Sequence, residues 1–391
     1  MLVGVWAVYT TFGLLITLNG TLVPQIREDL GLSRAEMGVV LGGWQFVYIL
    51  TAIPAGRVVD KLGTRVAVTG SALVMLGTAA LRTTATGFWS LLIPVAAFGI
   101  GAPIISVAAP KVAASLFEGA ARRRAVGVYG TAPAIGGVIA FTFGGSVVAP
   151  LVDDDWRAVT LIMTAAASSS LLVWWFVSRG LDDLMAPDSG PALRDYARLA
   201  RRPIVAFVLL LSALNFFAAH GIGQWLVAML DDVGWSTSAA SLWAAAGTTI
   251  GLIAALVVPR FATPDRRARV LAVVLGSGVV GAALLLTTSS AQLAFAIGLT
   301  ALPRVVIMPI LSMILMDHDD VGPTHIAAAS GLFFSIAQIG GVAGPAMTGA
   351  VSDRTGGFGA PLTVHSGVWI LMAVLLLVGL RRLAPTGSQH A

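Results

Sequence analysis

Gly56-Arg57-Val58-Val59-Asp60-Lys61-Leu62-Gly63-Thr64-Arg65 is the stretch on which the fold turns. It joins two apolar runs, 36–58 and 65–83. Each run has the length of about 20 residues that a helix needs to cross a bilayer. The glycines permit a tight turn between two such helices. The cations Arg57, Lys61 and Arg65 hold the turn on one side of a membrane. Asp60 can meet a helix N-terminus or an arginine, and that contact can break if packed bundles rock. The plainer reading of the stretch is a basic turn that sets topology and nothing else.

Further apolar runs flank this pair on both sides. Twelve spans are predicted, near 3–24, 36–58, 65–83, 89–117, 124–149, 156–178, 202–229, 236–258, 269–288, 291–316, 324–350 and 362–382. The first lacks a basic start and a small-residue cleavage site, so it reads as a span rather than a removable signal. The longest connection, 179–201, is polar and contains Pro187 and Pro191. It predicts an amphipathic or loosely ordered linker between an N-terminal bundle, 1–178, and a C-terminal bundle, 202–391.

Composition supports this class. Of 391 residues, 57% are hydrophobic and 11% charged, less than half the roughly one quarter of a soluble domain. A water-exposed globular surface and a disordered chain are both excluded. Cysteine is absent, which leaves no disulfide framework, and histidine occurs five times, which leaves little material for a metal centre. No basic stripe with interleaved aromatics points to nucleic acid. No G-x-x-x-x-G-K-[ST] loop points to ATP, and no cofactor is expected.

The net charge of +5 reads as a topology signal. With the N-terminus inside, seventeen Lys and Arg fall on the cytoplasmic side and five on the other, namely Arg27, Arg34, Arg82, Arg157 and Arg354. Both termini are then cytoplasmic. Lys111 and Arg304 fall inside spans. The chain also repeats itself. Asp29-Leu30-Gly31-Leu32-Ser33 matches Asp232-Val233-Gly234-Trp235-Ser236, and Ile135-Gly136-Gly137 matches Ile339-Gly340-Gly341. Gly127 likewise matches Gly331. These near-equal offsets predict a six-plus-six duplication, a common secondary-transporter plan with a site between the repeats.

The Gly56–Arg65 stretch closely resembles the signature loop of the major facilitator superfamily, with Thr64 where that pattern usually has arginine. The resemblance covers essentially the whole chain. It implies an all-α membrane protein of twelve helices in two pseudo-symmetric six-helix bundles, working by alternating access. Gly56, Asp60, Lys61, Gly63 and Arg65 would form its gating motif. Span four (Gly99-Ile100-Gly101-Ala102-Pro103, Ala109-Pro110-Lys111, Phe117) and span five (Gly127-Val128-Tyr129) narrow the likeness. So does span eleven with Gly344-Pro345, Asp353 and Thr355-Gly356-Gly357. Together they look like the branch of cyanate permease-like and nitroimidazole transporter-like proteins. The arginine pair of the neighbouring nitrate/nitrite porters is missing. A competing resemblance is Ala132-Pro133-Ala134-Ile135-Gly136-Gly137, one residue from a motif of drug/proton antiporters. Asn19-Gly20-Thr21 resembles their first-span motif, with Asn19 in place of Asp. The plainer account of the span-five glycines is close helix packing.

A charge at mid-bilayer costs on the order of 3 kcal/mol or more, so Arg304 in span ten marks a partner or a pathway. All nineteen acids fall in connections or at helix ends. The natural counter-ion of Arg304 is therefore a substrate anion, against the alternative of a structural arginine satisfied by carbonyls and water. Pro303 is expected to kink the span. Lys111 either completes the anion site or snorkels to the cytoplasmic face. His220 lies in Asn215-Phe216-Phe217-Ala218-Ala219-His220-Gly221-Ile222-Gly223-Gln224, where the glycines are expected to loosen the helix. It could carry a coupling proton or merely pack. Asn19, Gln45, Tyr48, Tyr129, Asn215, Gln224 and Gln338 are polar groups at plausible cavity depth, each equally suited to a helix-to-helix hydrogen bond.

The sequence thus predicts a transporter rather than an enzyme. It would be a monomer in a bacterial cytoplasmic membrane, surrounded by lipid, that moves a small anion (inorganic oxyanion, cyanate-like or carboxylate), with protons as a candidate coupling ion. The alternative is a proton-coupled efflux pump for drugs or metabolites.

Overall fold

The computed structural model describes residues 1–180, 193–287, 289–317 and 322–383. Twelve of the described helices are long and apolar enough to cross a membrane. They are α1 (Leu2–Thr21), α2 (Arg34–Leu62), α3 (Thr64–Arg82), α4 (Phe88–Leu116), α5 (Gly119–Leu151) and α6 (Trp156–Val177). The second six are α7 (Pro203–Asp231), α8 (Thr237–Phe261), α9 (Arg267–Leu284), α10 (Ser290–Asp317), α11 (Gly322–Thr355) and α12 (Gly359–Leu383).

The two sixes pack alike. α1 lies against α5, α4 and α6 as α7 lies against α11, α10 and α12. α4 lies against α2 and α3 as α10 lies against α8 and α9. The sequence repeats fall on matching structures. Gly31 (φ 62°) and Gly234 (φ 89°) both take the left-handed conformation that favours glycine after a helix. Two residues on, Ser33 and Ser236 cap the next span, accepting from the amides of Glu36 and Ala239. Gly136 and Gly340 also do one job twice. A Cβ at Gly136 would strike the Thr10 carbonyl of α1, and one at Gly340 the Ala213 carbonyl of α7. The span-five glycines are thus seats for a crossing helix.

The halves meet through α2 with α11, α5 with α8, and α1 with α7. Their bonds cluster at one end, called here the Arg34 end. There the Asp353 carboxylate accepts from the Arg34 and Ala35 amides at 3.0 and 2.6 Å, capping α2 from the opposite half. Arg34 pairs with Asp232. Gln25 donates to Thr237 at 2.7 Å. A π-helical stretch of α5, Ala140–Val148, brings Ser146 against α8, where it and Ser238 each donate to the other's carbonyl. On the same face Asp29 is held below the usual carboxylate range by the Trp156 indole N–H and then by the Arg157 guanidinium. At the opposite, Asp60 end, no hydrogen bond or ion pair joins the two sixes among the described residues. The short helix Leu193–Ala200 packs there against α11 and α7. Pro187, Pro191 and the rest of 181–192 lie outside the described residues.

Several expectations change. α2 runs to Leu62, so its turn into α3 is Gly63 alone, at φ 75°. α7 continues unbroken through Gly221 and Gly223. Those two glycines do not loosen the helix; each makes room for a side chain from a neighbour. Arg82, counted among the loop cations, is 2% exposed. It donates to Asn19 Oδ1 at 3.0 Å and to the Leu15 carbonyl at 3.1 Å, and its guanidinium lies over the Phe98 ring, 5.2 Å from the centroid. A cation at the end of an apolar helix can fold back onto carbonyls of the next helix, which the sequence pattern does not reveal.

Candidate functional site

Midway along the bundle, side chains from both halves converge. Gln45 of α2 lies 3.1 Å from His220 of α7, amide Nε2 to ring Nδ1. With the amide nitrogen donating, Nδ1 is the acceptor of this contact. The Gln45 Oε1 is buried with no partner. Gly341 of α11 makes this approach possible, since a Cβ there would lie 2.7 Å from the Gln45 amide and 3.2 Å from Gln338 Oε1. The His220 ring stands between Trp44 and Phe216, at 6.3 and 4.9 Å between centroids.

One turn further along the same face of α7, Gly223 receives Arg304. A Cβ on Gly223 would come 2.9 Å from Arg304 Nη2. Thus the guanidinium of α10 rests on bare α7 backbone next to His220. Arg304 makes no hydrogen bond and no ion pair among the described residues, and its nitrogens are not among the sealed polar atoms. It stands about 20 Å of helix rise from the Asp317 end of α10. The two arginines therefore differ in kind. Arg82 is fastened to α1; Arg304 offers a planar donor fork with nothing on it.

Lys111 does not join this site. Its Nζ bonds Asp60 Oδ1 at 2.6 Å, near the Leu116 end of α4 and in the other half from Arg304. The contact expected of Asp60 with a helix end or an arginine is made by this lysine instead, which also takes Lys111 away from free water. Both partners are partly exposed, at 20% and 29% of their side-chain surface. Of the remaining motif residues, Arg65 lies over Trp175 at 4.6 Å. Lys61 and Gly56 touch nothing that assigns them a role.

The other sequence candidates scatter. Asn19 Oδ1 is taken by Arg82. Gln224 packs on Gly20 in the α1–α7 contact, with Oε1 2.7 Å from where a Cβ would stand. Asn215 is wholly buried and both of its amide atoms lack a protein partner. Tyr48 is buried edge-on to Trp44, at 6.2 Å between centroids, Tyr129 is half-buried, and Ser106 Oγ is 3.5 Å from the Tyr9 hydroxyl. Sequence reading missed Tyr9, Ser106 and His365. His365 is 0% exposed, bonded to Thr348 Oγ1 at 2.8 Å and seated on Gly221. Its position inside span twelve was the one available signal.

Residues 5–345 match the Major Facilitator Superfamily. Over 392 residues the chain is 22% identical to the hexuronate transporter of Bacillus subtilis, covering 94% of this chain and 91% of that protein. It is 31% identical over 205 residues to the multidrug transporter protein MdtP of the same organism, covering 51% of this chain and 35% of that protein. The solved structure of the nucleoside transporter NupG superposes with a TM-score of 0.79 at 12% identity, over 96% of this chain and 98% of that one.

Proposed function

The chain belongs to the major facilitator superfamily and is a multi-pass secondary transporter of a small molecule, and from that premise we propose that its cargo is a small anion bound by Arg304. One observation carries the proposal: a guanidinium midway along a membrane-spanning helix with no hydrogen bond or ion pair among the described residues. A cation so placed costs several kcal/mol unless a counter-ion joins it. The transport of an anion by the hexuronate relative is consistent with this reading. So is the branch resemblance to cyanate permease-like proteins.

In the proposed cycle the anion enters from the Asp60 end, which we place in the cytoplasm with both termini by the excess of Lys and Arg there. The 179–201 segment would link the two bundles on that side. Closing the Asp60 end and opening the Arg34 end would pass the anion across. His220, bonded to Gln45 across the halves, is the group we propose for a coupling proton. We place the protein in a bacterial cytoplasmic membrane and read it as a monomer.

The test is uptake of radiolabelled anions into proteoliposomes. Arg304→Ala is expected to abolish uptake of the anion that the wild type carries. Full transport by Arg304→Ala would overturn the anion reading. The likeness to a multidrug transporter favours a second reading, export of drugs or metabolites. The lack of any mid-depth acid among the described residues weighs against cationic drugs, because nothing there would pair with them.

A further inference from the structure

Two cations of the Gly56–Arg65 stretch have no task in the reading above. Arg57 and Lys61 stand one turn apart on one face of α2, in its last two turns. Both are exposed. Neither makes a hydrogen bond or an ion pair among the described residues. The charged groups beside them are engaged elsewhere: Asp60 is held by Lys111, and Arg65 lies over Trp175. Two like charges at this spacing repel each other, so the helix by itself gains nothing from carrying both.

With Pro54, Val58 and Leu62, the two cations line a shallow surface groove of ≈ 300 Å³. Its floor is apolar, and its charges are those of Arg57 and Lys61. The groove continues an exposed line of side chains. Val39, Phe46, Leu50 and Ile53 are all exposed. At 3.6 residues per turn they share with Arg57 and Lys61 a stripe of α2 about 80° wide. Beside this stripe, α2 turns Gly38 and Gly42 to α11 and Gly43 to α4. An exposed apolar stripe on a membrane-spanning helix meets acyl chains. The stripe is apolar for about 21 Å of rise, from Val39 to Ile53, and then ends in two cations. A soluble anion would use the cations and none of the apolar floor. A zwitterionic lipid brings an ammonium that the cations repel. An anionic lipid matches both parts.

We infer that the groove at Arg57 and Lys61 binds the phosphate of an anionic phospholipid, whose acyl chains lie on the Phe46–Leu50–Ile53 stripe. The site is on the outer surface of α2, and it does not depend on which cargo Arg304 takes. Cations at the end of a membrane-spanning helix draw anionic headgroups. The end of α2 is thereby anchored to the headgroup layer, next to the Asp60–Lys111 pair.

The experiment is calorimetric titration of the purified full chain, in neutral detergent, with three probes: dioctanoylphosphatidylglycerol, dioctanoylphosphatidylcholine and glycerol 3-phosphate. The wild type is expected to bind the phosphatidylglycerol about tenfold more tightly than either other probe, and added salt should weaken that binding alone. Arg57→Gln and Lys61→Gln are each expected to weaken phosphatidylglycerol by about three- to tenfold and to leave phosphatidylcholine within about twofold. Arg122 is an exposed cation of the same end that donates to the Ala114 carbonyl. Arg122→Gln is expected to leave all three affinities unchanged. Equal wild-type affinities for the two lipids would overturn the site without any appeal to variants. Glycerol 3-phosphate bound as tightly as the phosphatidylglycerol would also overturn it, since the groove would then hold a soluble anion. An equal loss from Arg122→Gln would reduce the effect to diffuse surface charge and overturn it too. So would undiminished phosphatidylglycerol binding by the double variant, whose two exposed substitutions leave the fold intact.

Discussion

Arg304 and Arg82 show how little a residue type says by itself. Both are arginines of membrane-spanning helices, yet Arg82 is buried and spent on α1 while half-buried Arg304 has no hydrogen bond or ion pair among the described residues. A guanidinium gives two parallel hydrogen bonds to a carboxylate, and an ammonium gives a point charge. Arg304→Lys is therefore expected to lose well over tenfold in anion affinity, close to the loss of Arg304→Ala, measured by equilibrium binding. Gly223 supplies the floor for that fork. With a Cβ 2.9 Å from Nη2 the guanidinium must move. Gly223→Ala is expected to weaken anion binding several-fold in the wild type and to have no further effect in an Arg304→Ala background. An additive loss would show that Gly223 acts on something other than Arg304.

At the scale of helices, the Asp60–Lys111 pair ties the end of α2 to α4. An exposed pair of this kind is worth about 0–1 kcal/mol, enough to tilt a balance between two packings and too little to hold a fold. Asp60→Asn is expected to slow transport a few-fold while leaving substrate affinity within a few-fold, because the pair lies away from Arg304. Lys111→Ala should give the same phenotype, and the double variant should be no slower than either single one. A large affinity loss with unchanged turnover, read from uptake kinetics, would contradict this role. α7 is the other element that gathers function. Within four residues, His220 meets Gln45, Gly221 seats His365 and Gly223 seats Arg304. Its continuity through two glycines has a packing cause: the missing side chains admit those of α12 and α10.

At the scale of the molecule, the two ends are unlike. The Arg34 end is closed by Asp353 capping α2 from the other half, while the Asp60 end has no bond between the halves among the described residues. Loss of a helix N-cap costs about 0.5–2 kcal/mol, which shifts a two-state equilibrium up to about thirtyfold. Asp353→Ala is expected to move spin-label distances between positions 31 and 234 toward longer values. An unchanged distance distribution would show that other contacts keep that end shut. The orientation is open to a separate check, since the chain has no native cysteine. Cysteine placed at Thr86 should react with an impermeant reagent from outside the cell. Cysteine at Thr263, or at Ser189 in the linker, should not.

The number of spans, their order and the six-plus-six repeat were legible in the chain because each depends on local chemistry. A run of apolar residues has only the bilayer to satisfy it, and its backbone can only close into a helix. The Gly31 and Gly234 caps, and the Ser33 and Ser236 starts, act within a few residues of themselves. The partners of the polar groups were not legible. Asp60 finds Lys111 51 residues away, Gln45 finds His220 175 away, and Arg82 finds Asn19 63 away. Which of two arginines is left free for a substrate depends on which carbonyls come within reach once helices lie side by side. That reach is set by glycines on the facing helix and by the crossing of α7 with α10. Only the tertiary structure fixes both, so it alone separated Arg304 as a candidate site from Arg82 as a fastening.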